Sequence, residues 1–279
     1  MRNFKQRYYP TTIEAIHLVV LYVFLQTLID FPLALYDYQK DTNLLSNPWI
    51  SFFSGITITG FIYYYGFRKA KNKFTEVFAI KSFNLLLIIP VIILLPGLQY
   101  LVSFLNIEVE KLIPSPPWFW DLFKKIFENR FGFWGAFAKV AILAPVVEET
   151  LFRGIIMHGL MRNYKSWYAI LLSAILFSFF HLNPWQMTYT FFLGLFLAWL
   201  MVRSRSLFLC IIAHSINNIY ALVSMTSQKE ISENILSRFS SSQLVITSLV
   251  AIVLGVILVV LVTGRKKKMN RITAADLRS

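Results

Sequence analysis

Long apolar runs, repeated along the whole chain, decide what this sequence can become. About eight can be marked: Ile13–Tyr36, Pro48–Phe67, Phe83–Leu105, Phe133–His158, Trp167–Leu182, Trp185–Val202, Leu207–Thr226 and Leu244–Thr263. Each approaches the ~20 residues that a helix needs to cross ~30 Å of hydrocarbon. The fifth and sixth are short and are parted only by the turn signal Asn183-Pro184. Inside a bilayer the backbone must satisfy its own hydrogen bonds, so such runs become helices. The expected fold class is therefore all-α, a polytopic membrane helical bundle of about eight transmembrane helices. An outer-membrane barrel would show short alternating segments instead. Charged residues are 15% of the 279 and hydrophobic residues 57%, a balance that leaves a soluble globule with too much apolar surface to hide. Cys210 is the single cysteine, which excludes a disulfide scaffold.

The formal net charge of +13 would suggest nucleic acid in a soluble chain. Here it follows the habit of cytoplasmic loops to collect Lys and Arg. The expected partner is the lipid bilayer, and no nucleic acid. With the amino terminus inside, the cytoplasmic segments gather Arg2, Lys5 and Arg7, then Arg68, Lys69, Lys71, Lys73 and Lys81, then Arg162 and Lys165, then Arg203 and Arg205, then the tail from Arg265. The acids Asp37, Asp41, Glu108 and Glu110 fall on the outer side. This divides the chain into a cytoplasmic segment 1–12, a transmembrane domain 13–263 and a basic cytoplasmic tail 264–279 that anionic lipid would attract. Segment 107–132 holds Pro114, Pro116 and Pro117, then three aromatics and mixed charges. It reads as an amphipathic helix in the outer interface or as an anchoring loop. No cleavable signal peptide is expected. A multi-pass protein of a bacterial plasma membrane, both termini cytoplasmic, fits these features.

Six Asp, Glu, Lys or Arg residues fall inside the runs. Glu14, Asp30 and Lys139 lie close enough to span ends to reach water. Glu148, Glu149 and Arg153 do not. Glu148 is about ten residues from either end of its run, roughly 15 Å deep, where a lone carboxylate costs at least ~2.5–3.5 kcal/mol. Arg153 follows Glu149 by four residues, so the two share a helix face and read as a buried ion pair. Glu148 points about 100° away, without that partner. A desolvated carboxylate beside a second one is suited to general acid–base work.

Two further polar pairs share helix faces: Phe177 with His181, and His214 with Asn218, beside Asn217. Counted from the cytoplasmic ends of their helices, His181 and His214 bracket Glu148 in a band roughly 10–21 Å deep. Three helices thus offer a Glu, two His and an Asn at comparable depth. His17 and His158 lie near span ends and read as structural. Peptide hydrolysis needs a base for water and donors for an oxyanion, and these residue types supply both. The same Glu148, His181 and His214 would also suit Zn²⁺, although the one-helix His-Glu-x-x-His pattern is absent. The metal-free reading is preferred, with no cofactor expected.

Glu148-Glu149-x-x-x-Arg153, then Phe177-x-x-x-His181, then His214-x-x-x-Asn218 resembles the three-motif pattern of the CPBP intramembrane proteases. That family contains type II CAAX prenyl endopeptidases and bacteriocin-processing or immunity proteins, and is also called the Abi family. The resemblance covers about 133–226. It implies a helical core whose catalytic cavity opens to the cytoplasm. It further implies that Glu148 activates water and that His181 holds that water. Glu149 would position Glu148 through its ion pair with Arg153, while His214 and Asn218 would stabilise the oxyanion. Phe177 would pack the substrate cavity beside Asn217, the doublet Asn217-Asn218 leaving open which amide faces the site. The family was long described as metal-dependent and later understood as glutamate-dependent. The implied activity is an intramembrane endopeptidase cutting a membrane-associated, prenylated or leader-type peptide. The alternatives are a non-catalytic immunity-like or scaffold protein, and a proton-coupled transporter, against which stands the lack of an inverted repeat.

Overall fold

The computed structural model describes residues 7–42, 44, 48–117, 132–226 and 239–276, and among them every regular element is helical. Helix α1 spans Thr12–Lys40 and α2 spans Pro48–Ala70. A single turn α3, Phe74–Val77, and a 3-10 turn, Leu85–Leu87, lead into α4, Ile88–Leu112. Next comes a continuous helical run in five pieces: α5 Gly132–Ala136, a π segment Phe137–Leu143, α6 Ala144–Glu149, a second π segment Thr150–Ile156, and α7 Met157–Asn163. Then follow α8 Ser166–Phe180, α9 Pro184–Ser204, α10 Leu207–Thr226 and α11 Ser241–Asp276.

Among the described residues, five helical stretches are long and apolar enough to cross a membrane: Thr12–Lys40, Leu85–Leu112, Pro184–Ser204, Leu207–Ser224 and Ser241–Gly264. With them the chain is an integral membrane protein. The other three expected spans are helical but fall outside that set, each for a physical reason. Helix α2 dilutes its apolar content with Ser54, Thr57, Thr59 and three consecutive tyrosines. The 132–163 run carries Lys139, Glu148, Glu149 and Arg153 and is interrupted by π turns. Helix α8 has 15 residues, about 22 Å of length. The helix α4 reaches Leu112, so residues 107–112 of the expected interfacial segment continue a span. The aromatic and charged stretch 118–131 lies outside the described residues.

One end of the bundle is tied together by polar bonds. The Tyr8 backbone N–H donates to Asn163 Oδ1 at 3.0 Å, Asn72 meets His158 Nε2 at 3.0 Å, and Arg162 pairs with Glu76 at 3.3 Å. Ser206 donates to the Lys81 carbonyl at 2.7 Å, and Arg203 to Thr263 at 2.8 Å. His158 is thus structural, bridging Asn72 and the Glu76 carbonyl. Helices α4 and α11 meet through small residues: a Cβ on Gly97 would lie 2.7 Å from the Ser248 carbonyl oxygen. Such close approach is how helices associate where no hydrophobic driving force separates protein from lipid.

Candidate active site

The site grows out of the broken helix 132–163. In a π turn each carbonyl bonds five residues onward, which inserts an extra residue and concentrates such turns at functional places. The Ala144 N–H bonds Lys139 O in this register. The donor that the π ladder would then offer Val140 O belongs to Pro145, which has no N–H. The carbonyl of Val140 is filled instead by Asn218, whose Nδ2 donates at 2.8 Å. Sequence and backbone register together thus create an acceptor that latches α10 to the helix bearing the two glutamates. On the other flank, the Tyr63 hydroxyl of α2 donates to the Val147 carbonyl, immediately before Glu148.

Glu149 and Arg153 are both fully buried. Arg153 Nε lies 3.1 Å from Glu149 Oε2, and Nη1 donates to Oε1 at 3.2 Å. Arg153 Nη2 also donates to the Gly194 carbonyl of α9 at 3.0 Å, and its guanidinium lies 4.5 Å from the Phe177 ring centre. Glu149 Oε1 accepts a further bond from His214 Nδ1 at 2.9 Å. The carboxylate therefore joins Arg153 to His214, a link that the motif resemblance did not include. A carboxylate on one ring nitrogen fixes which edge of an imidazole faces the other way.

Three side chains converge on one gap. Glu148 Oε2 is 4.0 Å from His181 Nε2 and 4.0 Å from His214 Nε2. This oxygen is buried and has no hydrogen-bond partner in the protein. His181 Nδ1 lies 2.9 Å from the Phe177 carbonyl, one turn earlier, and this pairing assigns the proton to Nδ1. Both imidazoles thus turn Nε2 toward Glu148. His181 caps the end of α8, and Leu182 beyond it turns into the left-handed region at φ 53°. Asn183 then starts α9 by accepting from the Gln186 N–H at 2.8 Å. The turn of Asn183-Pro184 that parts the two short runs is therefore what holds His181 at the gap.

The remaining expected residues sit behind it. Phe177 is fully buried and meets His181 and His214 edge-on, with ring centres 5.2 and 5.7 Å away. Asn217 is 1% exposed; it accepts from the Tyr189 hydroxyl and donates to Asn218 Oδ1 at 3.1 Å. Both were expected to line a substrate cavity, and here they form its sealed backing. Asn218 was expected at the oxyanion, and its amide is engaged on Val140. Sequence reasoning missed Tyr63, Gln99, Tyr189 and Gly194. Gln99 donates to the Asn217 carbonyl at 3.2 Å; a survey of uncharged polar residues in the apolar runs would have found it. Gly194 has a steric role, since a Cβ there would lie 3.1 Å from Ala174 Cα and 3.2 Å from Phe177 Cδ1.

The donor set does not fit a zinc ion as it stands. Adjacent ligands about tetrahedral zinc lie about 3.3 Å apart, against the 4.0 Å separations here. Among the described residues no group of three or more His, Cys, Asp or Glu side chains is arranged to hold a metal.

Comparison with known proteins matches residues 130–220 to one family, described as type II CAAX prenyl endopeptidase Rce1-like. No curated protein and no solved structure matches the chain. The matched segment holds Glu148, Glu149, Arg153, Phe177, His181, His214 and Asn218. Residues 130–220 therefore form a domain similar to the type II CAAX prenyl endopeptidases, consistent with the CPBP family.

Proposed function

We propose that the chain is an intramembrane endopeptidase in which Glu148 activates a water molecule. The observation that carries this reading is the unpartnered Glu148 Oε2, equidistant at 4.0 Å from two imidazole Nε2 atoms. A water about 2.8 Å from each of two groups 4.0 Å apart makes ordinary hydrogen bonds at an angle near 90°. A buried polar oxygen without a partner costs ~1–3 kcal/mol or more, so such a water also relieves the site.

Glu148 takes the proton of this water as its oxygen attacks the peptide carbonyl, then delivers that proton to the leaving nitrogen. His181 accepts from the water at Nε2, and an imidazole that takes a second proton there, as imidazolium, donates to the oxyanion. Glu149 and Arg153 are positioning residues: they fix His214 and keep the charges matched where water is scarce. Asn218 acts as the latch that sets α10 against the π turn. The substrate is a polypeptide segment that enters the membrane.

Purified protein in proteoliposomes, presented with membrane-associated peptides, tests the reading. Glu148→Gln keeps the shape of the side chain and removes the base, so cleavage should fall by about 10²–10⁴-fold while the protein inserts normally. Cleavage at the unsubstituted rate would overturn the proposal.

A further inference from the structure

We propose that the groove between α1 and α2 binds one molecule of anionic phospholipid, its phosphate on Lys69 and its two acyl chains on either side of Tyr65. The inference goes beyond the hydrolytic reading, and the groove shares no residue with the Glu148 gap.

Two cavities meet at Tyr65 and Lys69. The larger, about 400 Å³, lies between the helices, with Leu18, Val20, Leu21 and Phe24 of α1 facing Tyr65 and Lys69 of α2. The smaller, about 240 Å³, runs along α2 past Phe61 and Tyr64, and Tyr65 and Lys69 line it as well. Two apolar clefts that share one cation match a headgroup from which two tails descend.

The dimensions suit one leaflet. The antiparallel register of α1 and α2 is set by the Tyr22–Thr59 hydroxyl contact at 2.9 Å, and by Gly66, where a Cβ would lie 3.7 Å from Leu18 Cδ1. Lys69 therefore stands level with Glu14, at the tied end of the bundle, the basic end that the positive-inside rule makes cytoplasmic. From Glu14 to Phe24 the helix α1 rises about 15 Å, half of a hydrocarbon layer ~30 Å thick. The larger cavity thus runs from the interface to the bilayer midplane, the depth of one acyl chain. Val20 and Phe24 are 58% and 59% exposed, so the cavity opens sideways to lipid, while Leu18, at 1%, closes it against the core.

The rim carries cations that the protein leaves free. Lys69 Nζ lies 5.7 Å from the Tyr65 ring centre and the Arg68 guanidinium 5.9 Å from that of Tyr64. Aromatic faces orient a cation without neutralising it. Among the described residues neither Lys69 nor Arg68 forms an ion pair. Glu14 is level with Lys69, yet its Oε2 is taken by the Thr11 N–H at 2.8 Å and the Thr11 hydroxyl at 2.9 Å. Burial, with Tyr65 and Glu14 close by, holds the Tyr9 phenol above its ordinary range, so this rim group remains an O–H donor. Lys71 adds a further cation beside the smaller cavity. Arg68, Lys69 and Lys71 against Glu14 leave the rim positive, which favours a headgroup of net negative charge over a zwitterion.

Native mass spectrometry of the full chain reads the site directly. The protein is incubated in mild detergent with equimolar dioleoyl phosphatidylglycerol, phosphatidylethanolamine and phosphatidylcholine. One phosphatidylglycerol per chain should be retained, favoured about five-fold or more over either zwitterion, the effect of one lysine at a charged interface. Lys69→Gln should lower its retention about five-fold. Lys165→Gln, at the same end but outside both cavities, should leave it unchanged. Val20→Trp fills the larger cavity from its exposed edge and keeps every charge, and it should lower retention by at least as much as Lys69→Gln. Both Val20 and Lys69 are exposed, so each variant should melt with the parent. Glycerol phosphate, the headgroup chemistry without chains, should not displace the lipid. Equal retention of the three lipids, parent-like retention by Lys69→Gln or Val20→Trp, an equal loss in Lys165→Gln, or displacement by glycerol phosphate would each overturn the proposal.

Discussion

The ion pair at the centre of the site can be weighed by a double-mutant cycle. Arg153→Met removes a fully buried guanidinium and leaves Glu149, also fully buried, with His214 as its remaining partner. It also strips the donor from the Gly194 carbonyl. Breaking a buried pair from one side costs about 3–5 kcal/mol, because the charge left behind is uncompensated. Glu149→Gln alone strands the arginine and should cost a similar amount. The double variant Glu149→Gln/Arg153→Met leaves neither charge, and residues in one network couple by about 0.5–3 kcal/mol. The double variant should therefore be clearly less destabilised than the sum of the singles. Reversible unfolding in bicelles, read from denaturant midpoints, measures all three. Losses that add to within about 0.5 kcal/mol, or single variants as stable as the parent, would refute the claim that Glu149 and Arg153 hold each other in place.

Two further substitutions test the supports of the gap. Gly194→Ala forces a methyl to 3.1–3.2 Å from Ala174 and Phe177; overpacking of this kind costs about 1–3 kcal/mol. Because Phe177 backs both imidazoles, cleavage should fall more than stability, as paired thermal and activity assays would show. Asn218→Ala leaves the Val140 carbonyl unfilled, at about 1–3 kcal/mol. If the same variant loses activity with no loss of stability, Asn218 acts on substrate rather than as a latch.

The chemistry of the site was legible where it broke the rules of its surroundings. Glu148, Glu149 and Arg153 stand out because charge in hydrocarbon is costly, and the Glu149–Arg153 pair follows from helical spacing. Comparing depths then brought His181 and His214 to the level of Glu148. The partners that cross between helices were not legible. Nothing in the local sequence says that Glu149 reaches His214, sixty-five residues away, or that Asn218 turns to Val140. The π turns were also hidden, since an apolar run looks alike at either period and only Pro145 hints at a disturbed ladder. Gly194 reads as one more small residue in a span until Phe177 and Ala174 are seen against it. The set of membrane-length helices departs from the eight expected runs where the sequence is busiest. The functional run 132–163 carries the charges and irregular turns that make it a poor membrane helix by composition.

The gap itself is the most direct test. A crystal structure determined from lipid, with anomalous data collected at the zinc edge, should show an ordered water within about 3.2 Å of Glu148 Oε2 and of both imidazole Nε2 atoms, and no anomalous peak there. An anomalous peak about 2.1 Å from these atoms, or three side chains that do not face a common water, would contradict the account.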